Sequence, residues 1–122
     1  MVYLGVARGD TETDAGYLAE KITTLRIFPD DEGKMNRSVL DTAGEILVVS
    51  QFTLLADARK GRRPSYTDAE EPDLAKNLYE YVMERIRARG IPCRGGFFQA
   101  HMEVSSVNDG PVTILLDSRR LF

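Results

Sequence analysis

The sequence of 122 residues contains one cysteine, one histidine and no tryptophan. A disulfide needs two cysteines, and a zinc site of the Cys/His type needs several such ligands, so Cys93 and His101 can form neither. The phosphate-binding patterns G-x-x-x-x-G-K-[ST] and G-x-G-x-x-G are also absent, which excludes dinucleotide enzymes that rely on them. We therefore expect a protein that uses no metal ion and no cofactor.

Long apolar runs are absent as well. The longest, Ile46 to Val49, is far shorter than the ~20 residues that a membrane-spanning helix requires. The opening Met1 to Gly5 has neither the basic flank nor the extended apolar stretch of a secretory signal. We therefore expect a cytoplasmic protein that does not contact membranes.

An excess of positive charge is also missing, since 19 acidic residues outnumber 16 lysines and arginines and the net charge is −3. This balance argues against proteins that bind nucleic acid through an overall basic surface, and we expect no DNA partner. Positive charge is instead concentrated around Gly61, in Arg59, Lys60, Arg62 and Arg63. Two interpretations of this basic cluster stay open: a solvated loop, and a docking site for the phosphate-rich end of an RNA.

Length and composition predict a single domain over residues 1–122, because 43% hydrophobic residues suffice to bury one core. The order of apolar patterns favours an α/β or α+β sheet with its helices on one side. The predicted strands lie in 1–6, 45–55 (the central strand), 97–107 and 112–116, with irregular chain at 26–45 and 56–71. One predicted helix is capped by Thr11 and Asp14. The other runs from Pro72 to Gly90 and has an apolar stripe of Leu74, Leu78, Tyr81, Val82 and Ile86.

Side chains that commonly carry catalysis have no supporting pattern. His101 lies between Ala100 and Met102 in a predicted strand, which favours a structural or surface histidine over a member of a catalytic triad. Neighbouring cations could lower the pKa of the Cys93 thiol, but an ordinary cysteine fits its position better. The acidic residues are scattered or form a turn at 30–32, so no spaced pair of carboxylates indicates general acid–base catalysis.

Two polar stretches are harder to explain as ordinary surface. Ser50, Gln51 and Thr53 place hydrogen-bonding side chains at the end of an apolar strand, where burial without partners costs a few kcal/mol. Asn108-Asp109-Gly110-Pro111 is a turn whose Gly-Pro peptide bond can be cis and whose glycine allows close approach of another backbone. On physical grounds alone, a strand leaving the sheet edge and an ordinary trans surface turn remain open alternatives.

These stretches resemble the two signature motifs of the D-aminoacyl-tRNA deacylase family. The motifs read Ser50-Gln51-Phe52-Thr53-Leu54 and Asn108-Asp109-Gly110-Pro111-Val112-Thr113 here, and Gly61, Arg63-Pro64-Ser65, Leu78-Tyr79 and 97–104 also fall where that family has them. The resemblance covers about residues 4–116. It implies a compact α/β fold, a β-barrel or sheet with two helices packed on it, in a homodimer. The site would lie at the interface, where a cis Gly110-Pro111 turn of one subunit enters its partner's pocket.

The resemblance also implies a reaction, namely hydrolysis of the ester that joins a D-amino acid, or glycine, to the terminal adenosine of tRNA. The 2′-hydroxyl of the RNA would assist the attacking water, and steric exclusion would spare L-amino acids. Thr53 would position the ligand through its hydroxyl; as a nucleophile it would need an adjacent base, which the sequence does not indicate. The implied residues are Gln51, Thr53, Gly110 and Pro111 for catalysis, Ser50, Phe52, Ala100, Met102 and Asn108 for the substrate, and Arg59, Lys60, Arg62 and Arg63 for tRNA.

The sequence departs from the family at its beginning. Members normally open with an extra β-hairpin that carries an arginine, and this sequence starts at what resembles their third strand. Because that arginine would support the Gly-Pro turn, a second function stays open, a non-catalytic RNA-binding or interaction module on the same fold.

Overall fold

The chain alternates short strands with two long helices. In the computed structural model, which describes residues 1–122, the elements follow in this order: β1 (Val2–Leu4), α1 (Glu12–Thr24), β2 (Phe28–Pro29), β3 (Met35–Arg37), β4 (Ile46–Ser50), a 3-10 turn (Phe52–Leu55), α2 (Pro72–Arg87) and β5 (Cys93–Gly95). This arrangement of a small sheet with two helices confirms the predicted α/β class.

The main sheet has three parallel strands in the order β1, β4, β5. Val2 pairs with Val48 on one side of β4, and Ile46 pairs with Cys93 on the other. A strand in the middle of a parallel sheet is hydrogen-bonded on both edges and covered by crossover helices, so it favours β-branched apolar residues. β4 therefore carries the buried Ile46, Val48 and Val49, which confirms the predicted central strand.

The two helices pack on each other and on the sheet. α1 begins with the predicted capping box, in which the Thr11 backbone N–H donates to Asp14 Oδ2 at 2.8 Å. This bond lowers the pKa of the Asp14 carboxyl. α2 begins at Pro72, where a missing N–H has no cost, and its chain leaves the helix before Gly90, which has a φ of +81°. The buried residues of α2 are Tyr79, Val82, Met83 and Ile86.

The prediction that Leu74 belongs to the apolar stripe of α2 is wrong. Its side chain lies in the first turn of the helix and is 57% exposed, and the buried stripe starts with the turn that contains Leu78 and Tyr79. Neither helix combines the length and apolar character that crossing a membrane requires.

A small hairpin occupies part of the stretch that we expected to be irregular. β2 and β3 pair antiparallel, with Phe28 opposite Arg37. The Asp30 carboxylate holds the connecting turn because it accepts hydrogen bonds from the Glu32 and Lys34 backbone N–H groups and from the Asn36 amide. Asp30 is therefore a turn residue in an acidic loop, in agreement with the sequence interpretation.

The two strands predicted after residue 96 are wrong. Residues 97–107 and 112–116 form no strand, and the sheet of this single chain has three strands and does not close into a barrel. A strand needs a neighbouring strand to receive its backbone hydrogen bonds, and the segment has none within the chain. Phe98 packs against the core, but other apolar side chains of the segment are exposed, for example Phe97 at 81% and Val107 at 92% exposure. His101 is exposed in this segment and is a surface histidine.

Candidate active site

The first motif follows β4 at the edge of the sheet. The Gln51 backbone N–H donates to the Leu4 carbonyl at 2.8 Å, and the chain then leaves the ladder in a 3-10 turn, closed by Leu54 N–H on the Gln51 carbonyl at 3.2 Å. The predicted central strand therefore ends at Ser50 rather than at Leu55. The turn faces outward, so Phe52 and Leu54 are each 56% exposed and Thr53 is exposed as well.

Gly5 allows this turn to lie against β1. A Cβ atom at Gly5 would stand 3.2 Å from the Gln51 carbonyl oxygen and 3.2 Å from Leu54 Cβ, and it would overlap Leu55 Cδ2. The sequence pattern did not single out Gly5, because its partners lie 46 to 50 residues away. Its position makes the placement of the first motif dependent on the absence of a side chain in the neighbouring segment.

Gln51 and Thr53 are joined directly. The Gln51 side-chain amide donates a hydrogen bond to Thr53 Oγ1. An amide is neutral and is not a base, so it orients the hydroxyl but does not remove its proton. The geometry therefore supports a positioning hydroxyl at Thr53 and offers nothing to activate it as a nucleophile. The Phe52 ring rests edge-on against Tyr66 with centroids 5.1 Å apart, which links the motif to the following loop.

The second motif is a self-supported turn. Its Gly110-Pro111 peptide bond is cis, as predicted, and Gly110 has a φ of +143°. Asn108 spans the turn, because its Oδ1 accepts from Val112 N–H at 3.3 Å and its Nδ2 donates to Thr113 Oγ1 at 3.0 Å. The structure thus gives Asn108 a role in holding the turn that the sequence did not reveal.

No hydrogen bond joins the two motifs within one chain. Their downstream ends meet at a shared cavity of about 250 Å³, which is bordered by Leu55 after the first motif and by Leu116 after the second. Arg8 and Arg119 line the same cavity. The residues that follow the two motifs therefore share a cavity, but no motif residue lines it, and the two motifs form no common pocket within one chain.

Ala100 and Met102 lie in the turn that follows β5. Met102 Sδ accepts a hydrogen bond from Phe97 N–H at 3.4 Å and lies over Gly96, where a Cβ would collide with it. Ala100 is exposed, and its N–H donates to the Phe97 carbonyl at 3.1 Å. Neither residue forms a hydrogen bond with the motifs, so within one chain they shape this turn.

The basic cluster lies on a closed, exposed loop. Asp57 and Ser65 exchange two backbone hydrogen bonds of 2.8 and 2.9 Å, which close the loop at its base. Arg59 folds back on Asp57 through two side-chain bonds of 2.8 Å, which lower the pKa of Asp57 far below its usual range and raise the pKa of Arg59. Lys60, Arg62 and Arg63 are exposed and have no ion pair.

The remaining candidate nucleophile, Cys93, is buried in β5. Burial raises the pKa of its thiol, and the nearby Arg87 opposes this shift only in part. Because a thiol is nucleophilic as the thiolate, Cys93 is an ordinary core cysteine, as the sequence favoured. No group of three or more His, Cys, Asp or Glu side chains is placed to hold a metal ion.

Tyr79 is a buried residue that connects the helices to the strand of the first motif. Its hydroxyl donates to the Val48 carbonyl at 2.9 Å, two residues before Ser50. Gly95 on β5 leaves the space for it, because a Cβ there would overlap the hydroxyl. Desolvation raises the pKa of Tyr79, so the hydroxyl keeps its proton and acts as a donor.

Comparison with known proteins adds a family relation to this geometry. The sequence matches the family described as D-Tyr-tRNA(Tyr) deacylase over residues 1–117. It is 59% identical to the D-aminoacyl-tRNA deacylase of Syntrophomonas wolfei subsp. wolfei (strain DSM 2245B / Goettingen) and 58% identical to that of Desulforudis audaxviator (strain MP104C). Each alignment covers all of this chain and 82% of the relative.

Two solved structures share the fold. One, named c-Myc DNA Unwinding Element Binding Protein, superposes with a TM-score of 0.84 at 38% identity and covers 92% of this chain and 76% of that one. The other, described as a probable eukaryotic D-amino acid tRNA deacylase, has a TM-score of 0.58 at 23% identity and covers 73% of this chain and 53% of that one.

Proposed function

The chain belongs to the D-Tyr-tRNA(Tyr) deacylase family, and on that premise we propose that it hydrolyses the ester bond between a D-amino acid and the terminal adenosine of tRNA. The observation that carries the proposal is that the chain has both motifs within a sequence that matches this family over residues 1–117. Gln51 orients the Thr53 hydroxyl in the first motif, and Asn108 spans an exposed Gly110-Pro111 turn in the second.

The mechanism that fits these residues is positioning without a side-chain nucleophile. Thr53 has an amide and no base beside it, and the buried Cys93 thiol is held as the neutral acid. The 2′-hydroxyl of the terminal adenosine then assists the attacking water, and backbone groups of the turn hold the amino acid and its carbonyl. Preorganised positioning and hydrogen bonding of this kind lower a barrier by several kcal/mol.

Chiral selection follows from the Gly110-Pro111 turn. Gly110 has no Cβ, so its backbone can approach the α-carbon of the bound amino acid closely. A D side chain then points away from the turn, and an L side chain collides with it. Glycine has no side chain to exclude, so the same site accepts glycyl-tRNA, including glycine mischarged on tRNA-Ala, and the protein would act in proofreading of translation in the cytoplasm.

A second copy of the chain would complete the site. The segment that carries the turn exposes a row of apolar side chains, and the first motif exposes Phe52 and Leu54. Contiguous exposed apolar surface of this kind is typical of an interface. In the homodimer, the Gly110-Pro111 turn of one subunit would enter the pocket beside Ser50–Thr53 of its partner, with Phe52, Ala100 and Met102 near the amino acid. The exposed apolar residues of the segment are Val107, Val112, Ile114, Leu115 and Leu116.

The acceptor end of tRNA would dock on the basic cluster. Lys60, Arg62 and Arg63 form no ion pair on this loop, whereas Arg59 is paired with Asp57. The free cations match the phosphates of an RNA strand. Arg59 would then contribute mainly by shaping the loop that presents its neighbours.

The test compares one D-ester on two RNAs. The protein is incubated with D-tyrosyl-tRNA and with the same ester on tRNA that ends in 2′-deoxyadenosine, and ester loss is followed with time. We expect rapid loss of the first ester and at least ~100-fold slower loss of the second, the size of effect that general catalysis by one group supplies. Equal loss of both would contradict the role of the 2′-hydroxyl. Absence of hydrolysis would favour the non-catalytic RNA-binding module.

A further inference from the structure

The Gly110-Pro111 turn stands in a segment that the body of the chain barely holds. Residues 103–116, called the arm, form no backbone hydrogen bond with the sheet or the helices. The hydrogen bonds inside the arm are those of Asn108, which stabilise the turn itself and not its position. The location of the turn therefore depends on what fixes the two ends of the arm.

The downstream end of the arm is fixed by polar contacts of residues 117–120, called the clasp. Arg119 Nη2 donates to Asp10 Oδ1 and to the Arg8 carbonyl, each at 3.0 Å. Asp117 Oδ1 accepts from the Arg119 N–H at 2.6 Å and turns the chain. The Arg120 guanidinium lies 5.7 Å from the centroid of the Tyr17 ring. The clasp thus attaches the arm to the loop before α1 and to α1 itself.

Asp10 is a firm anchor for Arg119. Its other oxygen, Oδ2, accepts from Ala7 N–H at 2.8 Å, and its own N–H donates to the Ala7 carbonyl at 3.1 Å. The Asp10 side chain is 16% exposed, whereas the carboxylates of the other five ion pairs are 32% to 92% exposed. Solvent therefore screens the Asp10 carboxylate less than the carboxylates of the other five pairs.

The clasp lies beside a cavity. Arg119 and Leu116 line the cavity of about 250 Å³ that also reaches Leu55, the residue after the first motif. Within one chain, the polar contacts of Arg119 therefore hold the downstream end of the arm beside this cavity. If they are lost, the arm has room to shift.

We propose that Arg119 is a positioning residue for the reaction: by binding Asp10 and the Arg8 carbonyl it fixes the downstream end of the arm, and so directs the Gly110-Pro111 turn toward the partner subunit's pocket. This inference rests on the proposed function for its effect on catalysis. The tethering of the arm is a separate physical claim, which can be measured without substrate.

The test compares Arg119→Ala with Arg85→Ala, an exposed arginine without an ion pair or hydrogen bond. The heteronuclear ¹⁵N–¹H NOE of arm amides is measured first. We expect it to fall in Arg119→Ala, to stay at the wild-type level in Arg85→Ala and to recover at least in part in Arg119→Lys. Asp10→Asn, which keeps an acceptor but removes the charge, should give an intermediate value and serves if Arg119→Ala folds poorly. Unchanged NOE values in both Arg119→Ala and Asp10→Asn would overturn the tethering.

The catalytic consequence is then measured on D-tyrosyl-tRNA. In Arg119→Ala we expect kcat to fall at least ~10-fold while KM stays within about twofold, because the turn is displaced and the tRNA-binding loop is not. The conservative Arg119→Lys should recover most of kcat. An equal fall of kcat in Arg119→Ala and in Arg119→Lys would refute the positioning role. Wild-type kcat in Arg119→Ala together with a lowered NOE would refute it as well. Absence of activity in the wild type would refute the proposed function and leave the NOE result to decide the tether.

Discussion

Substitution of Gly5 by alanine tests whether the body of the fold places the first motif. The added methyl group would stand 3.2 Å from the Gln51 carbonyl oxygen and would overlap the Leu55 side chain. Leu55 can change its rotamer, but Gln51 is tied to Leu4 by a 2.8 Å backbone bond, so its carbonyl has to shift together with the 3-10 turn. Inserting one methyl into such a contact typically costs about 1–3 kcal/mol.

The matched control is Gly16→Ala. Gly16 lies inside α1, where a Cβ would meet no atom within 4 Å. Alanine in a helix interior is more favourable than glycine by about 0.5–1 kcal/mol. The two variants add the same atom, so we expect their free energies of unfolding to differ by roughly 1.5–4 kcal/mol, the sum of the two effects.

Urea denaturation of both variants and of the wild type, with D-tyrosyl-tRNA hydrolysis on the same samples, measures this difference. We expect Gly5→Ala to unfold at lower urea than the wild type with an unchanged m-value, and to lose kcat because Gln51 and Thr53 move. If Gly5→Ala matched Gly16→Ala in both stability and kcat, the 3-10 turn would not depend on the contact with β1, and the reasoning would be refuted.

Two further predictions concern charges. Replacing both Lys60 and Arg62 by alanine should weaken tRNA binding and lower the magnitude of the slope of log affinity against log salt by roughly 1.5, since each phosphate contact contributes about 0.7–0.9. Filter binding measures this slope, with Arg85→Ala as the control and duplex DNA as the competitor. An unchanged slope would mean that the loop is only solvated. Asp14→Ala should cost about 1 kcal/mol at pH 7, because it removes the capping box. The folded-state pKa of Asp14 is lowered, so this contribution is present above the unfolded pKa near 3.9 and is lost as pH falls through the folded pKa. The difference between the urea midpoints should therefore be full at pH 7 and shrink progressively as pH falls below about 4, and a constant difference would contradict the cap.

The parts of the fold that local pattern determines were predictable from the sequence. The apolar run of β4 and the stripe of α2 record burial at strand and helix spacing, and Thr11 with Asp14 marks a helix start within four residues. The predicted strands over 97–107 and 112–116 failed because alternating apolar residues show only that a surface is to be covered. The alternation does not indicate whether the same chain or another chain packs against that surface.

The candidate site was predictable only where a motif carried it. The cis Gly110-Pro111 bond and the Ser50–Thr53 stretch were recognised from contiguous residues. Gly5 and Arg119 were missed, because Gly5 matters through Gln51 and Arg119 through Asp10, partners that are far away in sequence. Arg59 looked like one more cation of the basic cluster, and only the folded loop shows that Asp57 pairs with it.

Exclusion of L-amino acids by the Gly110-Pro111 turn is central to the proposed function. It is tested most directly by the ratio of hydrolysis rates for D- and L-tyrosyl-tRNA, measured under identical conditions for the wild type and for Gly110→Ala. A Cβ at residue 110 would meet the Val112 backbone nitrogen at 3.1 Å and would require an unfavourable φ of +143°, so it should distort the turn. We predict a large preference for the D-ester in the wild type and a ratio at least ~10-fold smaller in the variant, a loss of about 1.4 kcal/mol of discrimination. Equal rates on the two esters in the wild type would contradict the claim.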